Sequence, residues 1–266
     1  MMLDVRDLYF AYGDRQVLRG ITFSVDKGEL VSVLGPNGVG KSTLFQCILG
    51  IHKKFSGEIE IEGRSVLEMG ARSLAQRIAY IPQSHYPALH YSVLDMVLMG
   101  TAAQFSSVMS PGKQQLDIAR WALDKIGIGD FAQRDFMRIS GGERQLVLIA
   151  RALAQQSRML IMDEPTANLD YGNQVRVLTQ IEALAKDGFT ILKSTHNPEH
   201  AYLYSSRIVA MRNGALAANG TPGETLTSEL IRALYGIDAH VQSLYDDAVR
   251  ICVPERFEHS DMTRER

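Results

Sequence analysis

Apolar and polar positions along the chain fall into blocks of two different periods. In "GEIEIEG" the alternation is strict: Ile59 and Ile61 share one face and Glu58, Glu60 and Glu62 the other, which predicts a half-exposed strand at a sheet surface. "LDVRDLYFAY" and "VLRGITFSVD" are also strand-rich, and a turn follows at Asp26–Glu29. The apolar run "ELVSVLG" ends in glycine and gives way at Lys41 to the helical pattern "KSTLFQCILGI". "RIAYIPQ" reads as a short strand closed at Pro82. A loop rich in His, Tyr and Pro comes next, and the period then changes. "SVLDMVLMG" has Ser92 and Asp95 at capping-box spacing, and "GKQQLDIARWALDKIGI" is an amphipathic helix broken by Gly127 and Gly129. This helical block runs from about 84 to 138. Taken with the helix that follows Ser140 it covers about 84–156, and it reads as a subdomain inserted into an otherwise alternating pattern.

The alternation resumes with the buried strand "RMLIMDEP", the helix "NQVRVLTQIEALAKDG" and the strands "FTILKSTH" and "RIVAMRNG". Strands alternating with helices imply an α/β fold with a mostly parallel sheet covered on both faces. Residues 1–224 form the main domain. Residues 225–266 read as a C-terminal helical tail, whose polar end "EHSDMTRER" is expected to fray.

Composition narrows the function classes. The 266 residues are 45 % hydrophobic and 22 % charged with a net charge of −2, so nucleic acid is not an expected partner. Cys47 and Cys252 sit in unrelated contexts without metal-ligand spacing, which suits a reducing compartment. The start "MMLDVRDLYF" lacks the basic-then-apolar form of a secretory signal. No run approaches the ~18 apolar residues that span a bilayer, so work at a membrane would be done from outside the lipid.

The candidate chemistry begins at "GPNGVGKST", where Gly35, Pro36, Asn37, Gly38, Val39, Gly40, Lys41, Ser42 and Thr43 lie between a strand and a helix. Glycines let backbone N–H groups turn toward phosphate oxygens, and the helix start adds its positive end. Lys41 supplies a point charge to the outer phosphates, and the Ser42 hydroxyl can ligate Mg²⁺. The alternative is a glycine-rich turn without a ligand. In "LIMDEP" two carboxylates follow a fully apolar strand, at the sheet edge where α/β folds bind ligands. Asp163 would hold Mg²⁺ through water and Glu164 would orient and deprotonate an attacking water; an acidic turn that starts a helix is the plainer reading. Gln83, at the end of "AYIPQ", could touch both metal and water or simply be solvated. His196 ends "ILKSTH" at the same edge, in either a structural or a catalytic role.

"RISGGERQLVLIARAL" supplies a second glycine-bearing helix start. Ser140 and Glu143 have capping-box spacing, so the helix could be well capped and nothing more. It could equally be a second phosphate clamp built from Ser140, Gly141 and Gly142. One nucleotide already has its own loop, so a second clamp makes most sense across a boundary between two copies arranged head to tail.

The set "GPNGVGKST", "IPQ", "ISGGERQ", "LIMDEPTANLD" and "STH", in that order and spacing, resembles the ATPase subunit of ATP-binding-cassette transporters over nearly the whole chain. The resemblance implies a P-loop NTPase fold with a mostly parallel core sheet, an N-terminal antiparallel β subdomain and an inserted helical subdomain. It implies ATP and Mg²⁺ as ligands, and an ATP-sandwich dimer in which Ser140, Gly141, Gly142 and Glu143 contact ATP in trans and Asp170 crosses the interface. His196 would sense the γ-phosphate, and Tyr12 would stack on adenine. Ile139 and Glu143 stand where leucine and glutamine are usual. Glu143, as a capping-box partner, would turn back onto its own helix. "YSVLDMVLMG", "GGERQLVLIARALAQ" and "TLTSELIRALYGI" look like the metal-chelate importers of ferric siderophores, haem, cobalamin or oxyanions. Such systems pair two ATPases at the cytoplasmic face of the membrane with two permease subunits and an extracytoplasmic solute-binding protein. A soluble cassette ATPase in cofactor assembly and a nucleotide-dependent interaction switch are the rival classes.

Overall fold

The protein is described here from a computed structural model that covers residues 1–83, 90–103 and 111–255. The loop expected after Gln83 and the polar end expected to fray lie outside the described residues. β1 (Leu3–Tyr12), β2 (Arg15–Val25) and β3 (Leu30–Leu34) lead into α1 (Lys41–Ile48), followed by β4 (Ser56–Ile61) and β5 (Arg64–Ser65). Next come α2 (Ala71–Ala75), β6 (Ile78–Ile81), α3 (Val93–Leu98), α4 (Lys113–Ile126) and α5 (Gly141–Ala154). β7 (Met159–Met162), α6 (Tyr171–Lys186), β8 (Thr190–Thr195), α7 (Pro198–Leu203), β9 (Arg207–Arg212) and β10 (Ala215–Gly220) complete the main domain. The last described elements are α8 (Pro222–Thr225), α9 (Ser228–Tyr235), β11 (Ala239–Leu244) and β12 (Val249–Pro254).

The core sheet has the order β10-β9-β3-β8-β7-β6, parallel throughout except for the β9–β10 hairpin. A parallel sheet needs cover on both faces. α3, α4, α5 and α6 bury one face through Leu146, Leu153 and Ile181 against Ile81, Met162 and Ile191. α1 and the antiparallel sheet β2-β1-β4-β5 bury the other through Phe45, Ile59 and Ile61 against Val31, Ile161 and Leu192. The strict alternation of "GEIEIEG" is realised, with Ile59 and Ile61 at the core and Arg6 bonded to Glu58 and Glu60 on the outer face.

Among the described residues of this block, the two helices expected from its pattern form. Ser92 and Asp95 close a capping box at the start of α3, and α4 buries Ala119, Ala122, Leu123 and Ile126 at helical spacing before Gly127 ends it in a left-handed turn. The tail differs from expectation. Among the described residues it is helical only through α9; β11 and β12 then pair as an antiparallel hairpin against α7. Val241, Val249, Ile251 and Val253 have the β-branched character of strands. The turn between them, Tyr245-Asp246-Asp247, takes left-handed φ values of 53°, 54° and 66° without a glycine, so the usual hairpin signal is missing. Arg250 closes it with a two-pronged bond to Asp247 at 2.7 and 2.8 Å, which holds that carboxyl down to about 2.

Candidate functional site

The turn between β3 and α1 wraps a small concavity. Gly38 and Gly40 have φ of 79° and 112°, conformations that side chains rarely adopt. At Gly40 a Cβ would also press on Leu18 and Val17 at 3.1 and 3.2 Å. The start of α1 has no side-chain cap and no acid in its first turn, so its N–H groups are left for a ligand. The cavity has a volume of about 360 Å³ and is lined by Tyr12, Asn37, Gly38, Gly40, Lys41, Ser42, Thr43, Gln83 and Glu164, together with Arg15 and Val17. Gly35, Pro36 and Val39 complete the loop around it. A larger groove of about 1020 Å³ beside Trp121 on α4 contains none of these residues.

Lys41 is buried, and its Nζ donates to the Gly35 carbonyl at 2.8 Å and the Pro36 carbonyl at 3.1 Å. It also pairs with Glu164 Oε1 at 3.3 Å. The other Glu164 oxygen lies 3.1 Å from Nδ1 of half-exposed His196. Glu164 itself sits at φ 45°, a strained value for a residue with a side chain and of the kind that gathers at functional sites. Ser194 ties the strand ends together: its hydroxyl donates to Asp163 Oδ1 at 2.6 Å and accepts the Glu164 N–H at 2.8 Å. Sequence reading had no signal for Ser194, because its role depends on β7 and β8 being neighbours. Gln83 lies just past β6, which stops at Ile81, and reaches the same cavity. Tyr12 ends β1 at the cavity rim. Its hydroxyl meets His52 Nε2 at 2.7 Å and Gln46 Oε1 at 3.3 Å, and its ring stands nearly perpendicular to Phe10 and His52. Those contacts fix the ring while leaving it 48 % exposed, as a stacking platform requires.

The opposite face of β8 holds Lys193, 1 % exposed, with no partner for its Nζ. Burial pushes this amine down to about 7. An unfolded lysine titrates near ~10.4, so between these values the unfolded chain binds more protons than the folded one. Stability should therefore rise with pH across that window, by up to about 1.4 kcal/mol per pH unit. Lys193→Met is expected to raise the melting temperature at pH 7 and to flatten this slope. Thermal melts from pH 6.5 to 9.5 check it; an unchanged slope in the variant would contradict the assignment.

The second glycine-bearing helix start lies elsewhere. Ser140 caps α5, accepting the Glu143 N–H at 3.3 Å, while Glu143 Oε2 accepts the Ser140 N–H at 2.7 Å. These bonds hold the Glu143 carboxyl below its ordinary range, so the acid turns back onto its own helix. Gly142 has a packing reason beyond anion binding, since a Cβ there would meet the Asn173 side chain at 2.3 Å. Asn173 is in turn held by Asp170, which caps α6 and whose carboxyl is lowered first by the Asn173 N–H. Ser140, Gly141, Gly142, Glu143 and Asp170 are all absent from the walls of the Lys41 cavity.

A phosphate loop at a strand-to-helix turn, with a carboxylate pair and a histidine at the neighbouring strand ends, defines an ATPase of the P-loop class. Residues 18–167 match the ABC transporter family. The iron(3+)-hydroxamate import ATP-binding protein of Bacillus subtilis is 32 % identical over 240 residues, covering 90 % of this chain and 89 % of that protein. The molybdate import ATP-binding protein of Haemophilus influenzae is 36 % identical over 241 residues, covering 88 % and 87 %. A solved structure of a metal-chelate type ABC transporter in an inward-facing conformation superposes with a TM-score of 0.85 at 33 % identity, over 95 % of this chain and 97 % of that one. The chain belongs to the ATP-hydrolysing subunits of the ABC transporter family. Among the described residues no helix is long and apolar enough to cross a membrane.

Proposed function

We propose that the chain powers import of a metal chelate, such as an iron–siderophore complex, haem or cobalamin, or of a related oxyanion. Two copies close on two ATP molecules. Each lends Ser140, Gly141, Gly142 and Glu143 to its partner's nucleotide, and Asp170 crosses the same boundary. Two permease subunits hold the pair at the cytoplasmic face of the membrane as a peripheral assembly, and an extracytoplasmic solute-binding protein delivers the solute. The observation that carries the reading is the placement of the two glycine-bearing helix starts: one opens on the Lys41 cavity, and the second, at Ser140, lies outside it. The solute class is supported by the iron-chelate and molybdate relatives.

The residues act mainly by position and charge. Lys41 exchanges Glu164 for the outer phosphate oxygens. Glu164, keeping His196, is then free to orient water and take its proton. Ser194 holds Asp163 and the Glu164 backbone in place, and His196 keeps a second ring nitrogen for the γ-phosphate. The candidate metal donors are oxygens: the exposed Ser42 hydroxyl and the Gln83 amide line the cavity, and the buried Asp163 carboxylate lies next to Glu164, which lines it too. No cluster of three or more His, Cys, Asp or Glu side chains suited to a metal occurs among the described residues. That set fits Mg²⁺, which takes few protein ligands and shares the substrate's phosphate oxygens. When bound, it neutralises phosphate charge.

The test is purification of the tagged chain from detergent-solubilised membranes, then reconstitution of what co-purifies into vesicles. Expected is a multi-span partner and ATP-dependent uptake of ferric hydroxamate, haem or molybdate, lost with Glu164→Gln. Full ATPase activity with no membrane partner would favour the soluble cofactor-assembly class instead.

A further inference from the structure

The C-terminal segment bonds directly to the strand end that carries His196. α9 lays Leu230, Ile231 and Leu234 on Leu34, Ile208 and Ala210 of the core sheet, so its register is fixed by packing. Gly236 ends the helix at φ 69°, leaving Tyr235 as its last residue. The Tyr235 hydroxyl donates to the main-chain carbonyl of His196 at 2.8 Å. Burial holds this phenol well above its ordinary range, so it stays a protonated donor.

The hairpin grips the same segment from the far side. α7 begins two residues after His196. Its Glu199 accepts the Cys252 N–H at 3.4 Å, and its Tyr202 donates to the Asp247 carbonyl. Arg250 stands over the Tyr202 ring at 5.3 Å while donating to the Gly223 and Leu226 carbonyls at 2.6 and 2.8 Å. His196 is thus held at its carbonyl by Tyr235 and, just downstream, through α7 by β12, while its ring reaches Glu164.

We propose that the C-terminal segment is a positioning clamp for His196, with Tyr235 as the positioning residue that sets where the His196 ring stands relative to Glu164. The proposal rests on the reading of His196 as a partner of Glu164 at the γ-phosphate. Tyr235 does not line the Lys41 cavity, so its loss should lower the rate of the chemical step and leave nucleotide affinity alone.

The experiment is Tyr235→Phe in the full chain, with single-turnover ATP hydrolysis, KM for ATP and thermal melting measured on Tyr235→Phe, His196→Ala and the double variant. Expected is a loss of about 3- to 10-fold in the hydrolysis rate, the scale of one neutral hydrogen bond, with KM within about twofold and little change in melting temperature. In the His196→Ala background the same substitution should add less than about twofold, because coupled residues are not additive. An unchanged rate in Tyr235→Phe beside a crippled His196→Ala would overturn the clamp alone. So would a full further loss in the double variant. A His196→Ala chain at the parent rate would instead sink the reading of His196 as a partner of Glu164 at the γ-phosphate. If Tyr235→Phe folds poorly, Tyr202→Phe carries the test from the hairpin side: a lower rate at unchanged KM supports the clamp, and an unchanged rate overturns it.

Discussion

Glu164→Gln is expected to lower ATP turnover by about 10²- to 10⁴-fold, the usual contribution of a positioned general base, without weakening ATP binding. The amide keeps the size of the carboxylate and can still meet His196, but it cannot take a proton from water. Binding should hold because Glu164 competes for Lys41: the two lie 3.3 Å apart, and the lysine must give up that ion pair to reach phosphate. Gln offers no charge to give up. The variant should therefore accumulate with ATP as a stable dimer, seen as a shift in elution volume on ATP addition. Turnover near the parent rate would remove Glu164 from the mechanism and leave His196 and Gln83 as the groups to reconsider.

Ser140→Arg should abolish ATP-driven dimer formation and lower turnover by about 10²-fold or more, the order of losing a preorganised donor to a charged centre. Two effects combine. The helix cap is lost, at about 0.5–2 kcal/mol, and a cation stands at a helix start whose dipole already favours anions. Binding of ATP to a single copy should stay within about threefold, an unshared site being one that Ser140 does not line. Complementation tests the trans arrangement directly. A Ser140→Arg chain mixed with a Lys41→Ala chain forms one intact composite site, so mixing should restore part of the turnover that neither has alone. No rescue, together with lost single-copy ATP affinity, would mean that Ser140 serves its own nucleotide.

The local parts of the site were legible because their chemistry is contiguous in sequence. Gly35 to Thr43 must be glycine-rich, basic and hydroxylated within one turn, and Asp163 and Glu164 must follow an apolar strand. The capping boxes at Ser92 and Ser140 were readable for the same reason, since each is closed within four residues. What escaped depends on strand order. Ser194 meets Asp163 because β8 lies beside β7 in register, with Met162 opposite Lys193. The Lys41–Glu164 pair spans two strands separated in the sheet by β8. The hairpin was missed because its turn reaches left-handed conformations through Tyr245, Asp246 and Asp247 rather than through glycine.

The sequence alone determined the phosphate loop, the acidic strand end, the αβ alternation and the family to which these motifs belong, since each is written in residues close enough to act on one another along the chain. Only the tertiary structure decided that Lys41 pairs with Glu164, why Gly142 has no room for a side chain, and that a C-terminal tyrosine bonds the main chain of His196. Those contacts join segments far apart in sequence, and only the packing of strands and helices around the core brings them within bonding distance.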